Sequence, residues 1–113
     1  MTIVDIYKEA LMLACQNGDE ELLLDGNYSA MEVAIVNVIL RDLKCKTAKT
    51  LEEEFELPPV VYDAAVYGVS YLLAIRGMDM ERSNYLKDIY NSKRGSALSE
   101  ICKRQDIISK GKA

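Results

Sequence analysis

The stretch from Pro58 to Gly77 constrains the fold of this chain more than any other. Two adjacent prolines open it, and proline suits the first turn of a helix because the N–H groups of that turn have no intrahelical partner. We therefore expect a long central helix that ends near Arg76, with Gly77 in a left-handed cap. Its inner side is predicted from apolar residues at helical spacing: Val61, Ala64, Ala65, Gly68, Leu72 and Ile75, with Val60, Tyr67 and Tyr71 beside them.

A glycine at position 68 falls in the interior of this predicted helix. Glycine costs about 1 kcal/mol relative to alanine in a helix interior. Either the position simply tolerates it, or another helix crosses close to the backbone at Gly68, and the second interpretation is the one we favour.

Two further helices are predicted upstream. Thr2 can cap the first through Asp5, and the first should end near Asn17 and Gly18. Ser29 and Glu32 form a capping box for the second, which should run to about Lys44. The first helix shows one apolar face: Ile3, Tyr7, Ala10, Leu11 and Ala14.

The second helix is apolar on most of its circumference. One stripe consists of Met31, Ala34, Ile35 and Val38, and another of Val36, Ile39, Leu40 and Leu43. The polar positions are Glu32, Asn37, Arg41 and Asp42. We expect both stripes to be buried.

A connector over residues 45–57 carries the acidic run Glu52 to Glu54. We interpret this run as a solvated turn. The alternative, a carboxylate metal site, lacks the alternating oxygen ligands and the glycine of a calcium loop.

A fourth helix should begin after the cap residue Asp79 and extend to about Arg94, where Gly95 can end it. Its inner face is predicted to contain Tyr85, Leu86, Ile89 and Tyr90, with Met78 or Met80 and Arg82 upstream. The predicted fold is therefore all-α: a compact bundle of four main helices in residues 1–94, followed by a C-terminal tail arm over residues 95–113. At 113 residues the chain has room for one core.

Charge separates the tail from the body. Residues 1–92 hold 8 Lys and Arg against 16 Asp and Glu, whereas residues 93–113 hold 6 against 2. The tail also carries apolar pairs that the four-helix core does not require, so we expect residues 95–113 to dock on a protein partner. The candidate interaction residues are Lys93, Arg94, Leu98, Ile101, Lys103, Arg104, Ile107 and Ile108.

The amino-acid composition argues against a catalytic, cofactor-binding or metal-binding site in this chain. It has no histidine, which removes the commonest general base and the usual zinc ligand sets, and it has no phosphate-binding glycine motif. Three scattered cysteines suggest neither a disulfide framework nor a metal site. We expect no enzyme activity, no cofactor and no metal. The longest uncharged stretch, Ala64 to Ile75, is too short for a membrane span.

The seven tyrosines have two interpretations. Amphipathic rings can pack at the edge of a core with the hydroxyl group in water, and they are also enriched at protein interfaces. Both uses are compatible with their concentration on the third and fourth helices.

The segment Leu57-Pro-Pro-Val-Val-Tyr-Asp-Ala-Ala-Val-Tyr67-Gly68, followed by Leu72-Leu-Ala, Asp79-Met-Glu-Arg82 and Tyr85-Leu-Lys-Asp-Ile-Tyr90-Asn91, resembles small head–tail connector proteins of tailed phages. Residues 28–43 resemble the helix that precedes the connector loop in that family. The resemblance covers the second to fourth helices. It implies a helical adaptor, or head-completion protein, that forms a ring of roughly a dozen subunits under the portal.

The partners that the resemblance implies are the phage portal protein, sister subunits and the next connector or stopper protein. Genomic DNA would pass through the channel without sequence-specific binding. The protein would be made in the bacterial host cytoplasm and act at the head–tail interface of the virion. The alternatives are a helical interaction module, such as an adaptor or an antitoxin-like protein that acts as a dimer or in a one-to-one complex, and a nucleic-acid binder with a basic tail.

Overall fold

The computed structural model describes residues 2–14, 30–48 and 53–111, and the side-chain surroundings of all of these except 30–32 and 104–111. Four helices and no strand occupy these ranges: α1 (Ile3–Ala14), α2 (Ala30–Asp42), α3 (Pro59–Arg76) and α4 (Met80–Gly111). The prediction of a compact all-α fold with four main helices is confirmed.

Helices α1, α3 and α4 start where the sequence offers a signal. The backbone N–H of Asp5 donates to Thr2 Oγ1 (3.4 Å), and the N–H of Thr2 donates to Asp5 Oδ2 (2.8 Å), so the cap is reciprocal. At α4 the N–H of Arg82 donates to Asp79 Oδ1 (3.0 Å). Pro58 precedes α3 with extended backbone (φ −56°, ψ 148°). The predicted cap at Ser29 and the predicted end of the first helix near Asn17 lie outside the described residues.

The left-handed residue after α3 is Met78 and not Gly77, so that prediction is wrong. Gly77 has φ −81°, whereas Met78 has φ 61°. The left-handed residue thus comes one position later than the glycine at 77 predicts. The N–H of Asp79 then donates to the carbonyl of Ala74 (3.0 Å). Lys44 (φ 62°) ends α2 in the same way.

Helix α3 is central, because it contacts each of the other three helices. Its buried positions include Val61, Ala65 and Val69, all with 0% of their surface exposed. The prediction was wrong for two flanking residues, since Val60 and Ile75 are 45% and 40% exposed. Both residues lie in the terminal turns of α3, Val60 in the first and Ile75 in the last.

Gly68 lies where two neighbouring helices press on α3. A Cβ atom at this position would stand 2.8 Å from Ile39 Cγ2 of α2 and 2.8 Å from Tyr90 Cε1 of α4. The absence of a side chain therefore allows both helices to approach. The prediction of a close crossing at Gly68 is confirmed.

Helix α2 buries only one of its two apolar stripes. Val36, Ile39, Leu40 and Leu43 are at most 3% exposed, but Ala34 is exposed and Val38 is 50% exposed. Within the described residues α2 packs on α1 and α3, and these contacts leave Ala34 and Val38 exposed. The expectation that both stripes are buried is wrong for Ala34 and Val38, whereas Ile35 of the same stripe is half-buried against the core. The side chain of Met31 lies outside the described set.

Asn37 ties the connector to α2. Its Nδ2 donates to the carbonyl of Ala48 (2.7 Å), and the N–H of Ala48 donates to Asn37 Oδ1 (3.0 Å). Both residues are buried, so this amide satisfies two backbone groups that water cannot reach. Further along the connector, Glu53 and Glu54 are exposed in a non-helical segment, as the solvated-turn interpretation predicts.

Helix α4 does not end at Gly95, contrary to the prediction. It continues to Gly111 over 32 residues, about 48 Å at ~1.5 Å per residue, close to the 52 Å length of the molecule. Gly95 lies in the interior of this helix, and nothing lies within 4 Å of where its Cβ would be, so no close packing requires a glycine there. The buried residues on α4 are Ser83, Leu86, Tyr90 and Ala97.

Candidate interaction surfaces

Lys93 and Arg94, the first two candidate interaction residues, are paired within the chain. Lys93 Nζ donates to Asp63 Oδ2 of α3 and lies 5.1 Å from the centroid of the Tyr67 ring. Arg94 donates from Nε to Asp42 Oδ2 (2.7 Å) and from Nη2 to Asp42 Oδ1 (3.2 Å). These contacts fasten α4 to α3 and α2, and the interaction role of the two residues stays a prediction.

Asp42 is the centre of a three-residue network. The Tyr90 hydroxyl also donates to Asp42 Oδ2 (2.6 Å). The hydrogen bonds from Arg94 and Tyr90 lower the pKa of Asp42 below its usual value. Burial, followed by the hydrogen bond to Asp42, raises the pKa of Tyr90. At neutral pH the network therefore holds a carboxylate, a guanidinium and a neutral phenol, which suits a structural clamp.

The apolar pair Leu98 and Ile101 belongs partly to the fold. Both residues are half-buried, and Ile101 packs against the core one turn beyond Ala97, which has 0% of its surface exposed. The expectation that the core does not need this pair is wrong for Ile101. The physical reason is that α4 continues in register, so the face that carries Leu86 and Tyr90 returns at positions 97 and 101.

The remaining candidates lie on the last turns of α4. Lys103 is exposed, as is its neighbour Cys102. Arg104, Ile107 and Ile108 are within the helix, but their side chains lie outside the described set. A docking role for the residues after Ile101 therefore stays a prediction.

Sequence reasoning missed an exposed apolar surface at the turn between α3 and α4. The prediction that Tyr85 and a nearby methionine face inward is wrong, because Tyr85 is 58% exposed, Met80 57% and Met78 86%. Arg82 does reach inward: its Nε donates to the carbonyl of Leu13 (2.9 Å) near the end of α1. Two methionines on either side of a tight turn were the available signal. We call Ile75, Met78, Met80 and Tyr85 the turn patch.

Two open grooves mark the described surface. One lies between α1 and α3 and is lined by Glu9, Met12, Leu13, Asp63, Val66 and Tyr67. The other lies beside the turn patch and is lined by Asp79, Glu81, Arg82 and Tyr85. At the first groove, burial and the nearby Glu9 carboxylate raise the pKa of Tyr62 to about 12. This keeps the phenol protonated and unsuited to act as a base.

Metal ligands do not converge within the described ranges, where no group of three or more Cys, Asp or Glu side chains is placed to hold an ion. Burial raises the pKa of the Cys45 thiol, which disfavours the reactive thiolate. Cys15, the other cysteine near a helix end, lies outside the described residues. No helix in the described part of the chain is long and apolar enough to cross a membrane.

Comparison with known proteins returned no match to a family model, a curated protein or a solved structure.

Proposed function

We propose that this chain is a subunit of a phage or prophage head–tail connector, an adaptor that assembles as a ring under the portal protein and extends the DNA channel towards the tail. The observation that carries the proposal is the length of α4. The helix continues for ten residues after Ile101, the last described residue that packs against the core. A helix end with the sequence Cys-Lys-Arg-Gln-Asp-Ile-Ile-Ser-Lys-Gly offers basic and apolar groups to a protein partner.

The packing of the resemblance residues supports the proposal. Gly68 of the Tyr-Gly pair and Tyr90 of the later motif meet between α3 and α4. Pro59 occupies the first turn of α3, and Asp79 caps α4. Most of the residues that carry the resemblance thus lie in the α3–α4 pair, and Pro59, Gly68, Asp79 and Tyr90 each have a structural reason there.

The charge of the chain suits a conduit. An acidic body repels the phosphates of passing DNA and disfavours its capture, while the basic end of α4 can approach an acidic partner. The DNA would then pass without sequence-specific contacts.

The test uses the full-length protein and the portal protein encoded beside it, mixed and analysed by native mass spectrometry. The proposal predicts a complex with many adaptor copies on each portal ring. Replacing Ile107 and Ile108 with serine should weaken the complex strongly, because each buried aliphatic side chain contributes about 1.5–3 kcal/mol. Reversing the charges of Lys103 and Arg104 should act more weakly and mainly at low salt.

A matched control is Lys87→Ser, an exposed position on the part of α4 that packs on the core. This variant should bind the portal like the parent protein. A stable dimer or a one-to-one complex that ignores the portal would instead establish the interaction-module alternative and overturn the connector proposal.

A further inference from the structure

The turn patch consists of four large apolar side chains that lie close together in the sequence around one turn. Its four side chains, within eleven residues around one turn, are between 40% and 86% exposed. Single exposed apolar residues are ordinary, but a cluster of this kind on a small domain marks a contact site.

The backbone at Met78 strengthens this interpretation. A non-glycine residue with φ near +60° costs about 1 kcal/mol or more, and glycine would avoid that cost. The chain instead places a methionine here, and among the described residues it is the most exposed large apolar side chain. Met78 therefore ends α3 at a cost that glycine would avoid, and it adds to the exposed apolar surface at the turn.

A second line of exposed residues, two of them apolar, lies on the outside of α2. Ala34, Val38 and Arg41 are all exposed and follow one another at helical spacing. We call these three residues the α2 outer face. Exposed Lys44 and Lys46 follow at its C-terminal end. The one acid there, Asp42, is already paired with Arg94, so this end of α2 is basic.

The charges beside the turn patch have the opposite sign. Asp79 and Glu81 are exposed next to Met78 and Met80. Of the two arginines nearby, Arg82 is held by the Leu13 carbonyl and Arg76 is also engaged within the chain. The turn patch therefore has acidic side chains at its edge, and the α2 outer face has basic side chains at its end. The two surfaces have complementary charges.

We propose that the turn patch of one subunit docks on the α2 outer face of a second copy of this chain, with Asp79 and Glu81 beside Arg41, Lys44 and Lys46. The contact joins two different surfaces of the same chain. Each subunit can therefore bind one neighbour through its turn patch and another through its α2 outer face. Such heterologous contacts close into rings when the rotation between neighbours permits. This inference deepens the proposed function, on which the ring itself rests.

A patch of four side chains is smaller than the ~800 Å² per partner of a stable isolated interface. The contact is therefore weak between free subunits and gains strength when a portal holds neighbours side by side. The free protein should be mainly monomeric and associate only at high concentration.

The test is cysteine crosslinking between two differently tagged full-length variants in which the native cysteines are replaced by serine. One variant carries Met78→Cys and the other Val38→Cys. Mixed at high concentration with a short bifunctional maleimide, they should give a heterodimer several-fold more abundant than the homodimer of either variant alone. Asn91→Cys, exposed on α4 beyond the patch, is the matched control and should crosslink poorly with Val38→Cys.

Charge reversal supplies the second readout. Glu81→Lys in the first variant should lower the crosslinking yield by about two- to fivefold, as expected for an exposed ion pair, and Arg41→Glu in the second should restore it. Efficient self-crosslinking of Met78→Cys, a yield equal to the Asn91→Cys control, or no restoration would overturn the inference.

Portal binding of the same proteins separates the two proposals. If they join the portal without the Met78 to Val38 crosslink, the subunit contact is wrong and the connector function stands. If the crosslink forms but the proteins do not bind the portal, the subunit contact stands and the connector function is wrong.

Discussion

Two glycines inside helices should respond to alanine in opposite directions. Gly68 and Gly95 both occupy helix interiors, so the replacement Gly→Ala gains about 0.5–1 kcal/mol of helix stability at either position. They differ in what the new methyl group meets. At Gly95 it meets nothing within 4 Å, whereas at Gly68 it would stand 2.8 Å from atoms of Ile39 and Tyr90.

The cost at Gly68 follows from these distances. Carbon atoms pack best at ~3.5–4.0 Å, so both neighbours must move by about 1 Å. Tyr90 cannot move freely because its hydroxyl group is bonded to Asp42 (2.6 Å). Overpacking of this kind costs about 1–3 kcal/mol. Gly68→Ala should therefore be destabilising by about 0–2.5 kcal/mol and Gly95→Ala stabilising by about 0.5–1 kcal/mol.

Urea unfolding followed by far-UV circular dichroism measures both changes, and equal m-values for the variants would show that only stability has changed. The double variant Gly68→Ala with Ile39→Ala supplies a cycle, in which the added methyl group should recover part of what the deleted side chain costs. A Gly68→Ala protein as stable as Gly95→Ala would refute the close crossing. A loss of stability in Gly95→Ala would refute a continuous α4.

Three further outcomes follow from the structure. Ending the chain after Arg94 removes buried Ala97 and should lower the melting temperature, whereas ending it after Lys103 should leave thermal unfolding nearly unchanged. Asp42→Asn should cost about 1 kcal/mol or less in urea at neutral pH, and this cost should vanish in acid. The sign follows from a folded pKa below the usual 3.8: the carboxylate contributes stability above that pH and loses it as pH falls through the folded value. Met78→Gly should raise the free energy of unfolding by about 0.5–1 kcal/mol while weakening any contact made by the turn patch.

The sequence was a good guide where local chemistry decides. Thr2 with Asp5, Pro59 and Asp79 mark helix starts because each satisfies or avoids an unpaired N–H group within a few residues. The gap at Gly68 was also predictable, since glycine in a helix interior has a cost that close packing explains.

The local sequence pattern did not predict which helix faces are covered by another helix. The pattern of Ala34 and Val38 looks like a buried stripe, but whether it is buried depends on how many helices surround α2. The continuation of α4 was hidden because Lys93 and Arg94 interrupt its apolar face between Tyr90 and Ala97. Their charges are accommodated there by Asp63 and Asp42 from other helices, which no local pattern reveals.

For the same reason, the sequence pattern did not separate exposed apolar residues from residues that pack on the core. Ile101 has the composition of a docking residue and packs on its own core. Met78 and Met80 look like ordinary helix-end residues and are exposed. Composition indicates which residue types are suited to docking, and the tertiary structure decides which of them are exposed.

The most direct measurement for the connector account is single-particle electron microscopy of this protein mixed with its portal. The account predicts a ring of roughly a dozen copies coaxial with the portal, with an open central channel and the end of α4 in contact with a neighbouring protein. Images that show bare portal rings beside free protein or isolated dimers would contradict it.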